Sequence, residues 1–105
     1  MATFSDTSST YTNNSAGAGG VYYFAGDTTF TTITLTSNYY YYNFGDIGGV
    51  MACYDQYSLT IKNNVFNYNF GIRGGVTYLS QISSQSVNSS VTIQGNTFQN
   101  NSAYL

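Results

Sequence analysis

The chain has 105 residues, of which 6% are charged; its formal net charge is −2, and it holds no Pro and no His. Ordinary globular chains carry roughly a quarter charged residues, and two cations, Lys62 and Arg73, make no basic patch of the kind a phosphate backbone needs, so nucleic acid is not an expected partner. Aromatic residues at 18%, with many Val, Ile and Thr, argue against a disordered chain, and scarce Glu, Lys and Ala argue against a helical one. An all-β fold is expected.

In chain order, Met1 to Asp6 lacks the basic and apolar regions of a signal peptide. It is read either as a start left after a signal was removed or as an internal piece of a longer chain. No apolar run approaches the roughly 20 residues needed to span a bilayer, so no membrane span is expected. Phe4 and Asp6 open a pattern that recurs as Ile33 and Leu35, Leu59 and Ile61, Val91 and Ile93. Apolar residues two apart around Thr34, Thr60 or Thr92 read as a strand with one buried face. Ser9 then stands where later copies have Asn38, Asn64 and Asn96. Two residues on comes an aromatic (Tyr11, Tyr40, Phe66, Phe98), and three after it an Asn (Asn14, Asn43, Asn69, Asn101). A small residue follows two later, then Gly19-Gly20-Val21, Gly48-Gly49-Val50 and Gly74-Gly75-Val76; the fourth copy stops before its glycines. From each Val a second strand is expected, alternating Val21 with Tyr23, Val50 with Ala52 and Val76 with Tyr78. Gly26 to Thr32 and Ser80 to Ser90 vary in length and read as loop plus a weaker third face.

The period is 29 residues from Val21 to Val50, 26 from Val50 to Val76, and 32 from Phe66 to Phe98. Self-similarity of this size predicts a β-solenoid of three to four coils, each stacked on its neighbours, with residues 1–105 forming one segment. The Asn positions suit stacking, because amides one strand spacing apart, about 4.8 Å, can hydrogen-bond up a column. Asn also tolerates the left-handed conformation of a sharp corner, and Gly-Gly is expected to meet the same need at another.

Three further features carry alternatives. Cys53 is the single cysteine, so no intrachain disulfide forms. It shares its register with Phe24 and Leu79, which suits a buried thiol, with an interchain bridge as the alternative. In the run Asn38 to Asn43 the register assigns Tyr40 inward and Tyr39 and Tyr41 outward. The outward pair reads as a tyrosine-rich surface or as a stacking platform for sugars. The third feature is a set of sequons at Asn13, Asn88 and Asn100, candidate N-glycosylation sites; Asn13 and Asn100 share a repeat position with Tyr42 and Tyr68.

With this register set, Phe66-Asn67-Tyr68-Asn69 followed by Gly74-Gly75-Val76 resembles the paired F-x-x-N and G-G-A-[ILV] repeats of chlamydial polymorphic outer membrane proteins. Phe98 to Asn101 fits the first motif, while Tyr40 to Asn43 and Tyr11 to Asn14 fit it with Tyr for Phe. Val21, Val50 and Val76 depart from the family's Ala, and Tyr22, Met51 and Thr77 from its following aliphatic residue. Related repeats occur in many secreted β-helix proteins. The resemblance implies a right-handed parallel β-helix displayed at a cell surface, with an adhesive or structural role and scaffold positions only.

No catalytic constellation is legible. The acids are Asp6, Asp27, Asp46 and Asp55; Asp46 reads as the turn residue before a Gly-Gly corner, and no base partners Cys53. Neither a cofactor nor a metal site is expected, and the chain is read as no enzyme. The lack of polar caps leads to the expectation of a segment within a longer array. The leading reading is thus a non-catalytic structural or adhesive segment of an extracellular surface protein or filament, its partners being neighbouring coils, copies of a similar protein, or surface glycans. The alternatives are a fibril subunit stacking end to end and a carbohydrate-binding β-helix with a groove at Tyr39, Tyr41 and nearby Asp residues.

Overall fold

The repeat period reappears as strand register. In the computed structural model, residues 2–25, 31–54, 57–80 and 90–104 are described. The first repeat forms β1 (Ala2–Thr7), β2 (Thr10–Thr12), β3 (Ser15–Ala18) and β4 (Tyr22–Ala25). The second forms β5 (Thr31–Thr36), β6 (Tyr39–Tyr41), β7 (Phe44–Ile47) and β8 (Met51–Tyr54). The third forms β9 (Tyr57–Lys62), β10 (Val65–Asn67), β11 (Phe70–Arg73) and β12 (Thr77–Ser80), and the fourth β13 (Ser90–Gln94), β14 (Thr97–Gln99) and β15 (Ser102–Ala103). Corresponding strands of successive repeats pair in parallel, giving sheets β1-β5-β9-β13, β2-β6-β10-β14, β3-β7-β11-β15 and β4-β8-β12. Phe4, Ile33, Leu59 and Val91 form one row, and Tyr11, Tyr40, Phe66 and Phe98 another. The fold is all-β, with parallel strands in stacked sheets.

The core lies between the sheets. Ile33, Leu35, Leu59, Ile61, Tyr40, Phe66, Val50, Met51 and Cys53 are all essentially inaccessible. Rings of one row stack face to face: Tyr11 on Tyr40 at 5.6 Å, Tyr40 on Phe66 at 4.7 Å, Phe66 on Phe98 at 4.8 Å. Thr34 and Thr60 sit between the buried aliphatics on the other face, as period two demands. In the fourth repeat the matching positions are not core: Val91, Ile93 and Phe98 are 44%, 52% and 47% exposed, because that repeat is covered from one side only among the described residues.

The repeat folds into four strands where the sequence suggests two and a weaker third face. The strand between the second Asn and Gly-Gly has only four residues and no apolar alternation common to the repeats, being Ser-Ala-Gly-Ala over Ser15–Ala18, Phe-Gly-Asp-Ile over Phe44–Ile47 and Phe-Gly-Ile-Arg over Phe70–Arg73. Asp46 belongs to it and is exposed, so it is a strand residue and not the turn expected. Thr31 and Thr32 likewise open β5, Ser80 closes β12 and Ser90 opens β13. The rest of the variable arm, with Asp27, Asp55 and Asn88, lies outside the described residues.

The phase of the strand after Gly-Gly also differs from the expectation. Tyr22 is buried and Tyr23 exposed, and both Val50 and Met51 are buried. Two consecutive N–H groups converge on one carbonyl at this corner: Val21 and Tyr22 donate to Val50 O, and Val50 and Met51 to Val76 O, at 2.8–3.0 Å. Such a bulge resets the alternation, so the Val and the residue after it both face the core.

Only the first glycine of each pair is left-handed, at φ 63°, 73° and 74° for Gly19, Gly48 and Gly74. The second is required by proximity: a Cβ on Gly49 would stand 2.1 Å from Gly75 O and 2.8 Å from Phe70 O. We therefore expect Gly49→Ala to cost at least the roughly 1–3 kcal/mol of an overpacked core. Gly17→Ala, where a Cβ meets nothing within 4 Å, should stay within about 0.5 kcal/mol of the parent. Urea denaturation of both variants checks this contrast.

Candidate functional site: asparagine columns and the Asp6 cluster

Two columns of Asn run through the stack. Asn38, Asn43, Asn64 and Asn69 are fully buried. Each sits one residue past a left-handed corner, formed by Ser37, Tyr42, Asn63 and Tyr68 at φ 57–58°. The corner conformation thus falls to the preceding residue, and the column Asn itself is not left-handed, contrary to the sequence expectation. The corner turns the Asn side chain inward beneath the next repeat.

In the column Asn14, Asn43, Asn69 and Asn101, every inner amide uses its full bonding capacity. Asn43 Oδ1 accepts from Asn14 N and Asn14 Nδ2, both at 3.0 Å. Asn43 Nδ2 donates to Tyr11 O at 3.1 Å and Asn69 Oδ1 at 3.0 Å. Asn69 repeats the scheme, accepting from Asn43 and donating to Tyr40 O and Asn101 Oδ1. Two lone pairs and two N–H groups are all matched. In the second column, Ser9 N donates to Asn38 Oδ1, Asn38 N to Asn64 Oδ1 and Asn64 N to Asn96 Oδ1, at 2.7–2.8 Å. Return bonds run from Asn38 Nδ2 to Asp6 O, from Asn64 Nδ2 to Leu35 O and from Asn96 Nδ2 to Ile61 O. Among the described residues no buried side-chain polar atom lacks a partner.

Sequence reasoning missed a second constellation. Asp6 occupies the row filled by Leu35 and Ile61, with its carboxylate turned to the interior side. Ser9 Oγ donates to it at 2.5 Å, as do the hydroxyls of Tyr11 and, at 2.6 Å, Tyr22. A further bond of 2.8 Å joins the buried hydroxyls of Tyr22 and Tyr40. Burial pushes Asp6 upward, but the three hydroxyl donors outweigh it and hold the carboxyl below its ordinary value. Burial and the Asp6 contact raise Tyr11 and Tyr22, and burial raises Tyr40. The available signal was an acid at a Leu/Ile position together with Tyr where later copies have Phe.

The other expected positions are scaffold. Gly19, Gly20, Gly48, Gly49, Gly74 and Gly75 make the corners, while Val21, Val50 and Val76 pack on the core. Cys53 is buried, and burial pushes its thiol up to about 12. Tyr39 and Tyr41 are parallel on the outside, 6.1 Å apart. Asn13 and Asn100 are exposed at left-handed corners. Among the described residues there is no cavity, and no three acidic or cysteine side chains gather. No helix is long and apolar enough to cross a membrane, which says nothing of membrane-crossing strands.

No family model, curated protein or solved structure matches the chain.

Two tests follow from the columns and the cluster. Asn43→Asp keeps the shape but sets a carboxylate oxygen against Tyr11 O and Asn69 Oδ1; we expect a loss on the order of 3 kcal/mol at neutral pH, partly recovered on acidification. For Asp6 the folded carboxyl lies below its unfolded value of about 4. Its contribution is therefore complete above that value and lost as pH falls through the folded one. Asp6→Asn should flatten the acid limb of stability against pH, read by thermal melts between neutrality and strong acid.

Proposed function

We propose that the chain is a structural or adhesive unit of a right-handed parallel β-helix, carried on an extracellular surface protein or filament. The observation behind this reading is the pair of hydrogen-bonded Asn columns, which tie each repeat to the next by side chains as well as backbone. A stack held this way suits a stiff rod that presents a surface and resists extension along its axis. Its interior is filled by aliphatic residues and stacked rings, and Asp6 is occupied by hydroxyls within the scaffold. An antibody raised against the folded chain should label intact source cells or shed filaments by immunogold microscopy. Labelling that appears only after permeabilisation would overturn the surface role.

A fibril subunit is the second reading, favoured by the exposed Val91, Ile93 and Phe98. A head-to-tail copy would, however, set Asp6 and Ser9 where Leu or Ile and Asn stand in the inner repeats. An inward charge of this kind discourages edge stacking. We expect purified chain to sediment as a discrete species at neutral pH, without seeded growth.

A further inference from the structure

We infer that Asn13 and Asn100 are attachment sites for N-linked glycans, and that the first sugar on each packs against an exposed tyrosine pair, Tyr42 and Tyr68. The inference rests on the extracellular reading above. Its first support is register. Asn13, Tyr42, Tyr68 and Asn100 fill one outward corner of four successive repeats, all at φ 55–59°. Backbone bonds hold them in that order: Asn13 N to Tyr41 O, Tyr42 N to Asn67 O, Tyr68 N to Gln99 O. Both Asn are exposed, as are Ser15 and Ser102, which complete the sequons. The Asn between them, Asn14 or Asn101, is committed to the inner column. Acceptor and hydroxyl thus point to solvent while the middle residue anchors the corner.

The second support is the tyrosine pair. A bulky aromatic residue at left-handed φ is a strained choice where Asn serves better, yet both middle repeats have Tyr there. Their rings lie parallel within 4° at 5.0 Å and are 56% and 47% exposed. Because the rings face each other along the stack, the second face of Tyr42 looks toward the Asn13 level and that of Tyr68 toward the Asn100 level. A pyranose ring offers the apolar C–H face that such a surface takes. Asn100 Nδ2 also makes a 3.3 Å bond to Asn67 Oδ1, which leaves its second N–H free.

The co-reactant is a polyisoprenyl-diphosphate-linked oligosaccharide ending in N-acetylglucosamine. The Asn Nδ2 bonds to the anomeric carbon as the bond from that carbon to the diphosphate oxygen breaks. Polyisoprenyl diphosphate leaves and the amide gives up one proton.

The test is in vitro transfer with a eukaryotic oligosaccharyltransferase and a chitobiose donor on the unfolded 105-residue chain, followed by refolding, under conditions that consume a control sequon peptide. Glycopeptide mapping should find sugar at Asn13 and Asn100. The refolded product should show shifted Tyr42 and Tyr68 ring protons and a raised melting temperature. Tyr42→Asn/Tyr68→Asn, which places at these corners the residue already present in the outer repeats, should fold and lose that rise. Transfer confined to Asn88, refolding blocked by the sugar, or ring protons unchanged by it would each overturn the proposal. Immunogold localisation is independent of all these outcomes, so failure here and failure of the surface role are distinguishable.

Discussion

A buried primary amide is a demanding group, with two donors and two acceptor sites that water can no longer serve. This fold buries four and satisfies them by placing each below another amide and beside a carbonyl of the previous repeat. That arrangement works in one register alone. A slip of one residue would turn every Asn outward and leave N–H groups of the neighbouring repeat unpaired. The amides therefore specify alignment, which apolar burial, being non-directional, cannot do by itself.

The rest of the cross-section is arranged around those columns. Left-handed corners at Ser37, Tyr42, Asn63 and Tyr68 aim the Asn inward, and the short strand between columns carries one inward ring, which stacks on its counterparts above and below. Apart from Gly17, the described glycines stand where the chain turns left-handed or where backbone presses close, as at Gly48 and Gly49. Aliphatic pairs fill the widest sheet, and the variable arm absorbs differences in repeat length without disturbing the register. The first repeat departs from the scheme, because Asp6 stands in an aliphatic row and draws Ser9, Tyr11 and Tyr22 around it. A carboxylate matched by three hydroxyls is tolerated there because the site is only partly buried.

Much of this was legible from residue types alone. The rows led by Ile33, Tyr40 and Asn43 follow from spacing, since identical positions in stacked copies must coincide. The strands Ser15–Ala18 and Phe44–Ile47 were not legible, because Ser-Ala-Gly-Ala carries no periodic signal, four residues of Phe-Gly-Asp-Ile are too few to show one, and their strand form is imposed by the neighbouring repeats. Nor was the phase after Gly-Gly, which depends on two N–H groups sharing the carbonyl of Val50 or Val76. The left-handed residue was misplaced by one position, because Asn suits both roles and the columns claim it for hydrogen bonding. The Asp6 cluster was hidden for another reason: Asp6, Tyr11, Tyr22 and Tyr40 come from four strands and Ser9 from the corner between two, and their convergence is a property of the fold.

The Asn amides bond from repeat to repeat, and NMR can observe such a bond directly. Scalar coupling across a hydrogen bond should link the backbone nitrogen of Asn43 to the side-chain carbonyl carbon of Asn69, 26 residues away. A resolved coupling is expected, together with slow exchange of that N–H. No coupling, with Asn43 exchanging at the rate of an exposed corner, would show that the columns are not what aligns the repeats.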